Sequence, residues 1–231
     1  MKKTLLLLAG LICFAGVFAY TPAPFNNHNY TVVHKRTTLP QKYDSRDLDI
    51  ILPARDQYKS GCCWAFSATD VAQALFHKNG YNTGYLAPQV YPNCAVGYLD
   101  LDIESGGNEY IAISTNALLK APVLASSVGE FTMSSTFCPS YTKEDIAGYV
   151  LSTSDLPSND ATAIKEAIME YGSVLSSLHM PDKYYDGKTT YSYNPQGVPE
   201  PTNHAVNIIG WDDTKGAWLV KNSWGPTWGY N

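Results

Sequence analysis

The N-terminal half of the chain carries apolar residues at helical spacing. From residue 64 to residue 76 they recur at i, i+4, i+7, i+8, i+11 and i+12, which predicts an amphipathic helix. Asn79-Gly80 supplies the end of that helix. Two further helices are predicted over residues 109–120 and 161–171.

After residue 172 the period changes from helix to strand. Short segments rich in β-branched and aromatic residues occupy residues 174–180, 204–211 and 217–222. A polar turn at residues 212–216 separates the last two, which predicts a hairpin. Residues 182–202 are polar and indicate a surface excursion. Helices followed by strands are typical of an α+β fold.

The first nineteen residues have the pattern of a secretory signal peptide. Lys2 and Lys3 precede an apolar run at residues 5–18, and the segment ends in the small residue Ala19. A short membrane anchor is the alternative, but the run falls short of the ~20 residues that a spanning helix needs. No other stretch is apolar enough to span a bilayer, so we expect an exported protein without a membrane span. Residues 20–38 are polar and predict a short leader or pro-segment.

Composition narrows the class of protein further. The 231 residues, 45% hydrophobic and 16% charged, suffice for one domain or two small lobes and do not fit a long disordered chain. The formal charge is −5, and it becomes −7 when residues 1–19 leave with Lys2 and Lys3. No basic run exceeds the three residues 34–36, which argues against nucleic acid as a partner.

Four cysteines remain once the signal peptide is removed: Cys62, Cys63, Cys94 and Cys138. Export permits disulfides, and four cysteines allow three pairings, among which the sequence alone does not choose. A zinc site is the competing interpretation, but no Cys-x-x-Cys or close Cys/His spacing supports one.

Cys63 and two distant residues form a candidate catalytic group. Cys63 lies in the first turn of the helix predicted after Gly61, where unsatisfied N–H groups favour a thiolate; a buried structural thiol is the alternative. If facing residues of the predicted hairpin have numbers that sum to 426 or 428, His204 and Asn222 share one face of the sheet, whereas a sum of 427 separates them. On a shared face, the Asn222 amide oxygen can orient the imidazole and leave its other nitrogen for Cys63.

Three separated motifs give the chain a resemblance to a known family. They are Gln57 with SGCCWAFS at residues 60–67, NHAV at residues 203–206, and KNSWG at residues 221–225 followed by Trp228-Gly229. With His204 and Asn222 placed 141 and 159 residues after Cys63, the chain resembles the papain-like cysteine peptidases. The resemblance covers residues 39–231 and implies two lobes, a helical N-terminal lobe and an antiparallel β C-terminal lobe, with the active site between them.

The resemblance implies a catalytic role for each matching residue. Cys63 is expected to be the nucleophile and His204 its general base and acid. Asn222 is expected to orient the imidazole. The Gln57 side chain and the Cys63 backbone N–H are expected to form the oxyanion hole.

The resemblance also implies a substrate cleft. Gly106 and Gly107 resemble the glycine pair whose backbone meets an extended peptide, where a Cβ would block close approach. Trp224 resembles the aromatic side chain that shields the Asn–His pair from water. Ser177 and Asn203 are expected to help line the pocket for the second residue before the scissile bond.

The chain departs from the family pattern in its cysteines and at both ends. Ser60 and Glu104 stand where the family has a bonded cysteine pair, so we expect a polar contact instead. Cys62 replaces a small residue beside the nucleophile, and a vicinal disulfide with it would silence the enzyme. The leader is short for an inhibitory prodomain, and family members continue into further strands where this sequence stops, which suggests a fragment of a longer gene product.

The resemblance therefore implies a secreted cysteine peptidase that hydrolyses peptide bonds through a thioester. It implies a Cys94–Cys138 disulfide, no metal or organic cofactor, a peptide or protein substrate, and a monomer. The expected location is extracytoplasmic, with a lysosome-like compartment as an option in a eukaryotic source. The alternatives are an inactive secreted binding relative or truncated gene product, and acyl transfer or deamidation by the same thiol–imidazole chemistry.

Overall fold

The computed structural model covers the segments that carry most of the predicted elements. It describes residues 38–99, 106–108, 110–112, 122, 124–133, 137–150, 153–180 and 201–229. The predicted signal peptide, nearly all of the leader and almost the whole predicted surface excursion lie outside the described residues. Of the helix predicted over residues 109–120, only residues 110–112 are described, and these are helical.

Besides the helical residues 110–112, the described part of the chain contains four α-helices. They are α1 (Cys63–Lys78), α2 (Val90–Leu99), α3 (Ala125–Val128) and α4 (Ala161–Tyr171), with 3₁₀ turns at Ser45–Leu48 and Lys143–Asp145. Helices α1 and α4 lie where the sequence predicted helices. The buried face of α1 differs from the predicted stripe, because Ala65, Phe66 and Ala74 are buried whereas Ala68, Val71 and Leu75 are partly buried. The Asp160 carboxylate accepts the Ala163 N–H and caps α4, and Gly172 follows its last turn at a φ of 95°.

Helix α2 was not predicted from the sequence. Val90 and Tyr91 in its first turn are fully buried, and Cys94 is 5% exposed. Residues 90–94 are buried on every side, so this part of the helix has no exposed polar face to give an amphipathic pattern. The structure joins Cys94 of α2 to Cys138 by the disulfide that the family resemblance implied.

The strands form one antiparallel sheet around a long central strand. They are β1 (Lys42–Asp44), β2 (Val174–Leu178), β3 (His204–Asp212) and β4 (Ala217–Lys221). Strand β3 pairs with β2 through its first five residues, with β1 through its last three, and with β4. The three strands predicted from the sequence are confirmed, and β1 is an addition too short to have a pattern of its own.

A bulge in β3 decides which side chains share a face. Next to the turn, facing residues of β3 and β4 have numbers that sum to 429, whereas at Asn207 and Lys221 the sum is 428. The register shifts at Ile209. A regular ladder continued from the turn would separate His204 from Asn222, and the bulge returns them to one face.

The core packs α1 and α4 against this sheet. The start of α1 belongs to a cluster with Tyr91, Phe131 and Ala205, and α4 packs with Ile208 and Trp211 of β3. The Asn207 side chain donates a hydrogen bond to the Ser67 carbonyl of α1 at 2.9 Å. These contacts place the first turn of α1 beside the first residues of β3. None of the described helices combines the length and apolarity that crossing a membrane requires.

Candidate active site

Cys63 is the first residue of α1, and Cys62 caps the helix without a side-chain hydrogen bond. Both side chains are fully buried, and neither belongs to a disulfide. Burial raises the pKa of the Cys63 thiol to about 11, against the lowering effect of backbone N–H groups from Ala205, Trp64 and Cys63 itself. The helix start therefore lies where the sequence predicted, and desolvation opposes the thiolate that the helix terminus favours, so the thiolate stays a prediction.

His204 opens strand β3 and is held by two neighbours. Its Nε2–H donates to the Asn222 Oδ1 at 2.7 Å, and the Trp224 ring lies 4.6 Å from the imidazole at an interplanar angle of 30°. Burial lowers the pKa of His204 to about 4, while the Asn222 hydrogen bond acts in the opposite direction. A neutral imidazole that donates from Nε2 keeps Nδ1 as a proton acceptor. Ala205, the next residue, packs against Cys63 in the same core cluster.

Gln57 is clamped between the loop before Cys63 and the segment after Asn222. Its Nε2 donates to the Ser60 carbonyl at 2.8 Å, and its Oε1 accepts the Ser223 hydroxyl proton at 2.5 Å. Its backbone N–H donates to the Ser223 carbonyl at 2.7 Å. One Nε2 hydrogen is engaged with Ser60, and the oxyanion role of the second hydrogen stays a prediction. The sequence did not assign Ser223 a role, although its place between Asn222 and Trp224 was a usable signal.

The Ser60 hydroxyl donates to the Gln57 carbonyl at 2.6 Å. Glu104, its expected partner, lies outside the described residues, so the predicted Ser60–Glu104 contact stays a prediction. The observed bond keeps Ser60 in the clamp around Gln57 and needs no disulfide to do so.

Gly107 is buried against the indole of Trp64, the residue after the nucleophile. A Cβ on Gly107 would lie 2.3 Å from the Trp64 ring. Glycine is thus required at this position by protein packing, a reason that the sequence did not reveal. Gly106 is partly exposed beside it. The contact of both glycines with a substrate remains a prediction.

Ser177 and Asn203 lie at the joined ends of β2 and β3. Ser177 faces Ala205 across the ladder. The Asn203 side chain accepts the Met180 N–H at 2.7 Å and donates to the Met180 carbonyl at 3.3 Å. Both ends of this amide therefore fix the chain leaving β2, and the pocket-lining roles of Ser177 and Asn203 stay predictions. Among the described residues, no three His, Cys, Asp or Glu side chains gather as metal ligands would.

Comparison with known proteins establishes the family of the chain. The sequence profile of the papain family cysteine proteases matches residues 39–231. The chain therefore belongs to the papain family of cysteine proteases.

Curated relatives match most of the chain at modest identity. Peptidase 1 from Euroglyphus maynei is 27% identical over 219 residues, which make up 91% of this chain and 65% of the relative. Cathepsin K from Gallus gallus is 27% identical over 201 residues, or 82% of this chain and 56% of the relative. The chain thus spans less than two thirds of the length of these relatives.

Solved structures match the predicted α+β papain-like fold, which is confirmed. The digestive procathepsin L2 proteinase from Tenebrio molitor larval midgut aligns with a TM-score of 0.76 over 92% of this chain and 71% of that one, at 23% identity. The bromelain protease from Ananas comosus, in complex with the E64 inhibitor, aligns with a TM-score of 0.68 over 83% of this chain and 86% of that one, at 26% identity.

Proposed function

We propose that this protein is a secreted, monomeric cysteine peptidase that hydrolyses peptide bonds through a thioester intermediate. The observation that carries the proposal is the buried His204–Asn222 hydrogen bond on the strand that packs beside Cys63. A base oriented by a third group next to a nucleophile at a helix start is the arrangement that acyl transfer needs. Family membership supports a peptide or protein substrate.

In the proposed reaction, Nδ1 of His204 takes the thiol proton of Cys63 as the sulfur attacks the substrate. The sulfur attacks the carbonyl carbon, and the developing oxyanion accepts hydrogen bonds from the Cys63 N–H and the remaining Gln57 Nε2–H. His204 then gives its proton to the departing amine, and the C–N bond breaks to leave a thioester. Water attacks the thioester, His204 takes the water proton and returns it to the sulfur, and the acid leaves.

Burial sets the timing of the first proton transfer. With the pKa of Cys63 at about 11 and that of His204 at about 4, the neutral pair is favoured over the ion pair in the closed site. Deprotonation of the thiol is therefore coupled to nucleophilic attack, when the oxyanion donors stabilise the new negative charge. Asn222 keeps the imidazole aligned throughout.

The proposal is tested with the whole chain, expressed in an exporting host, on a panel of fluorogenic dipeptides with mass spectrometry of the products. Cys63→Ala should abolish turnover, whereas Cys62→Ala should retain most of it. Cys62 is a matched control because it is adjacent to Cys63 and equally buried. N-terminal sequencing of the secreted protein checks cleavage after residue 19.

Each other outcome selects a different function. Turnover that survives Cys63→Ala would reassign the nucleophile. Binding of peptides without any product would indicate an inactive relative. Ammonia release or transfer of the acyl group to an added amine, without peptide cleavage, would identify deamidation or acyl transfer.

A further inference from the structure

Asp70 is a buried acid on α1, two turns after Cys63, and it has two cations around it. Its Oδ2 lies 2.9 Å from the Lys221 Nζ, and its Oδ1 lies 3.9 Å from the Arg55 Nη2. Asp70 and Lys221 are each 8% exposed. A buried carboxylate must be paired, and its partners are then held in one geometry. Asp70 thus ties α1 to Lys221 by a close ion pair, while its Oδ1 has no hydrogen-bond partner and meets Arg55 through a longer electrostatic contact.

Each cation stands one or two residues before a residue of the candidate site. Lys221 ends β4 and is followed by Asn222, and Arg55 stands two residues before Gln57. Only one or two planar peptide units separate the backbone of each cation from an active-site amide, so the position of that backbone constrains the amide.

The two segments are also bonded to each other. The Gly225 N–H donates to the Arg55 carbonyl at 3.0 Å, and Asp56 forms a β-bridge with Trp224. With the Gln57 clamp, these bonds make one unit of the segments that hold the oxyanion donor and the orienting amide. Asp70 is the acid that joins this unit to the helix of the nucleophile.

Arg55 is held tightly enough to transmit position. Its Nη1 donates to the Leu86 carbonyl at 2.7 Å, and its guanidinium lies over the rings of Phe66 and Tyr85 at 5.3 Å and 4.8 Å. Glu130 is a second acid whose charge acts on Arg55. Lys221 has Asp70 as its ion-pair partner among the described residues.

We propose that Asp70 is a positioning residue for the reaction: through Lys221 it sets the place of Asn222, and through Arg55 that of Gln57, relative to Cys63. This inference rests on the proposed peptidase function. Asp70 lies behind the reacting atoms, so its effect is on the rate of the chemical step rather than on substrate binding. Catalytic groups displaced by about 1 Å lose on the order of 100-fold in rate.

The test is a double-mutant cycle between Asp70→Asn and Asn222→Ala, with kcat and KM measured per folded molecule. In the wild-type background Asp70→Asn should lower kcat about 10- to 100-fold with KM nearly unchanged. In the Asn222→Ala background the orienting amide is already absent, so Asp70→Asn can act only through Gln57. Its loss of kcat should therefore be smaller there than in the wild-type background. Lys165→Met is the control: it removes the more exposed ion pair between Lys165 of α4 and Asp213 in the turn after β3, and should leave kcat within about twofold.

An equal loss of kcat in both backgrounds would overturn the proposal, as would unchanged kcat per folded molecule with only a lower melting temperature. If Asp70→Asn does not fold, Lys221→Gln replaces it in the cycle, since it breaks the same pair without altering α1. Alkylation of Cys63 by iodoacetamide gives a readout that needs no turnover: Asp70→Asn should shift its pH profile toward that of Asn222→Ala. A wild-type chain without turnover would refute the peptidase function, and this alkylation profile would still decide the role of Asp70.

Discussion

His204 is buried as a neutral base, which links folding stability to pH. In the folded chain the pKa of His204 lies at about 4, below its ordinary value of 6.5, because burial penalises the imidazolium. As pH falls below 6.5, His204 binds a proton in the unfolded chain but not in the folded chain. The free energy of unfolding therefore falls progressively down to about pH 4. The loss amounts to about 3 kcal/mol.

Urea unfolding of wild type and His204→Gln between pH 7 and pH 4 measures this contribution. The wild-type free energy of unfolding should fall more steeply than that of His204→Gln, and the difference isolates the imidazole from every other titrating group. Parallel curves for the two proteins would show that His204 takes up its proton in the folded chain as easily as in the unfolded one.

Gly107 leaves no room for a side chain beside the Trp64 ring. In Gly107→Ala the new methyl group would overlap the indole, so the ring or the backbone at residue 107 must move. We expect a loss of about 1–3 kcal/mol in the free energy of unfolding, with reduced turnover because Trp64 follows the nucleophile. Chemical denaturation measures the loss, and the smaller ring of Trp64→Phe should recover part of it in the double variant. Full stability in Gly107→Ala alone would contradict the packing.

At the scale of secondary-structure elements, Gly210 allows β1 to join the sheet. A Cβ at Gly210 would lie 2.1 Å from the Tyr43 carbonyl oxygen, a backbone atom that cannot move without breaking the β1–β3 ladder. Gly210→Ala should therefore lower the free energy of unfolding by about 1–3 kcal/mol. It should also change the fluorescence of Trp211, on which Tyr43 stacks at 5.1 Å.

Gly216→Asn is the control for that substitution. Gly216 lies in the turn after β3 with open space around it and a φ of 58°, a conformation that asparagine tolerates. Its stability should stay within about 0.5 kcal/mol of wild type. If Gly210→Ala behaves like this control, β1 contributes little to the fold.

Helical periodicity predicted α1 and α4, and β-branched and aromatic composition predicted β2, β3 and β4, whereas α2 and β1 were missed. Eight of the nine residues of β3 are buried, so composition rather than alternation identified it. The described start of α2 is fully buried and β1 has three residues, so neither has a pattern of its own. The bulge at Ile209 was also beyond sequence reasoning, since Ile209 is an ordinary strand residue by propensity. The predicted hairpin had facing residues whose numbers sum to between 426 and 428. In the structure these numbers sum to 428 near the site and to 429 near the turn.

The sequence predicted the members of the candidate site but not their protonation states or supporting ion pairs. Cys63, His204 and Asn222 could be grouped in advance because motif spacing and hairpin geometry agree. The protonation states of these residues could not be predicted from the sequence, because desolvation depends on all the atoms that bury a group. Asp70 could not be assigned either: an acid inside an apolar helix pattern signals a buried pair, but its partners Arg55 and Lys221 are distant in the chain.

At the scale of the whole molecule, the Cys94–Cys138 disulfide closes a loop with a sequence separation of 44 residues. In the chain-entropy model such a closure contributes about 4 kcal/mol. Gly106 and Gly107 lie inside the closed loop, so the bond also restrains the segment that packs on Trp64. The fold near the site therefore depends on one pair of oxidised sulfurs.

The proposed chemistry requires Cys63 to be reduced while Cys94 and Cys138 stay oxidised as a disulfide. Cys63 must be reduced to act as a nucleophile, but it is fully buried, whereas Cys138 of the disulfide is exposed. A thiol reductant in solution thus reaches the structural bond more easily than the nucleophile. We expect activity to pass through a maximum as reductant concentration rises, and the falling side to vanish in Cys94→Ser/Cys138→Ser at a temperature where that variant is folded. A steady plateau in the wild-type titration would mean that the bond survives any reductant the nucleophile needs, and the protein could then work in both oxidising and reducing surroundings.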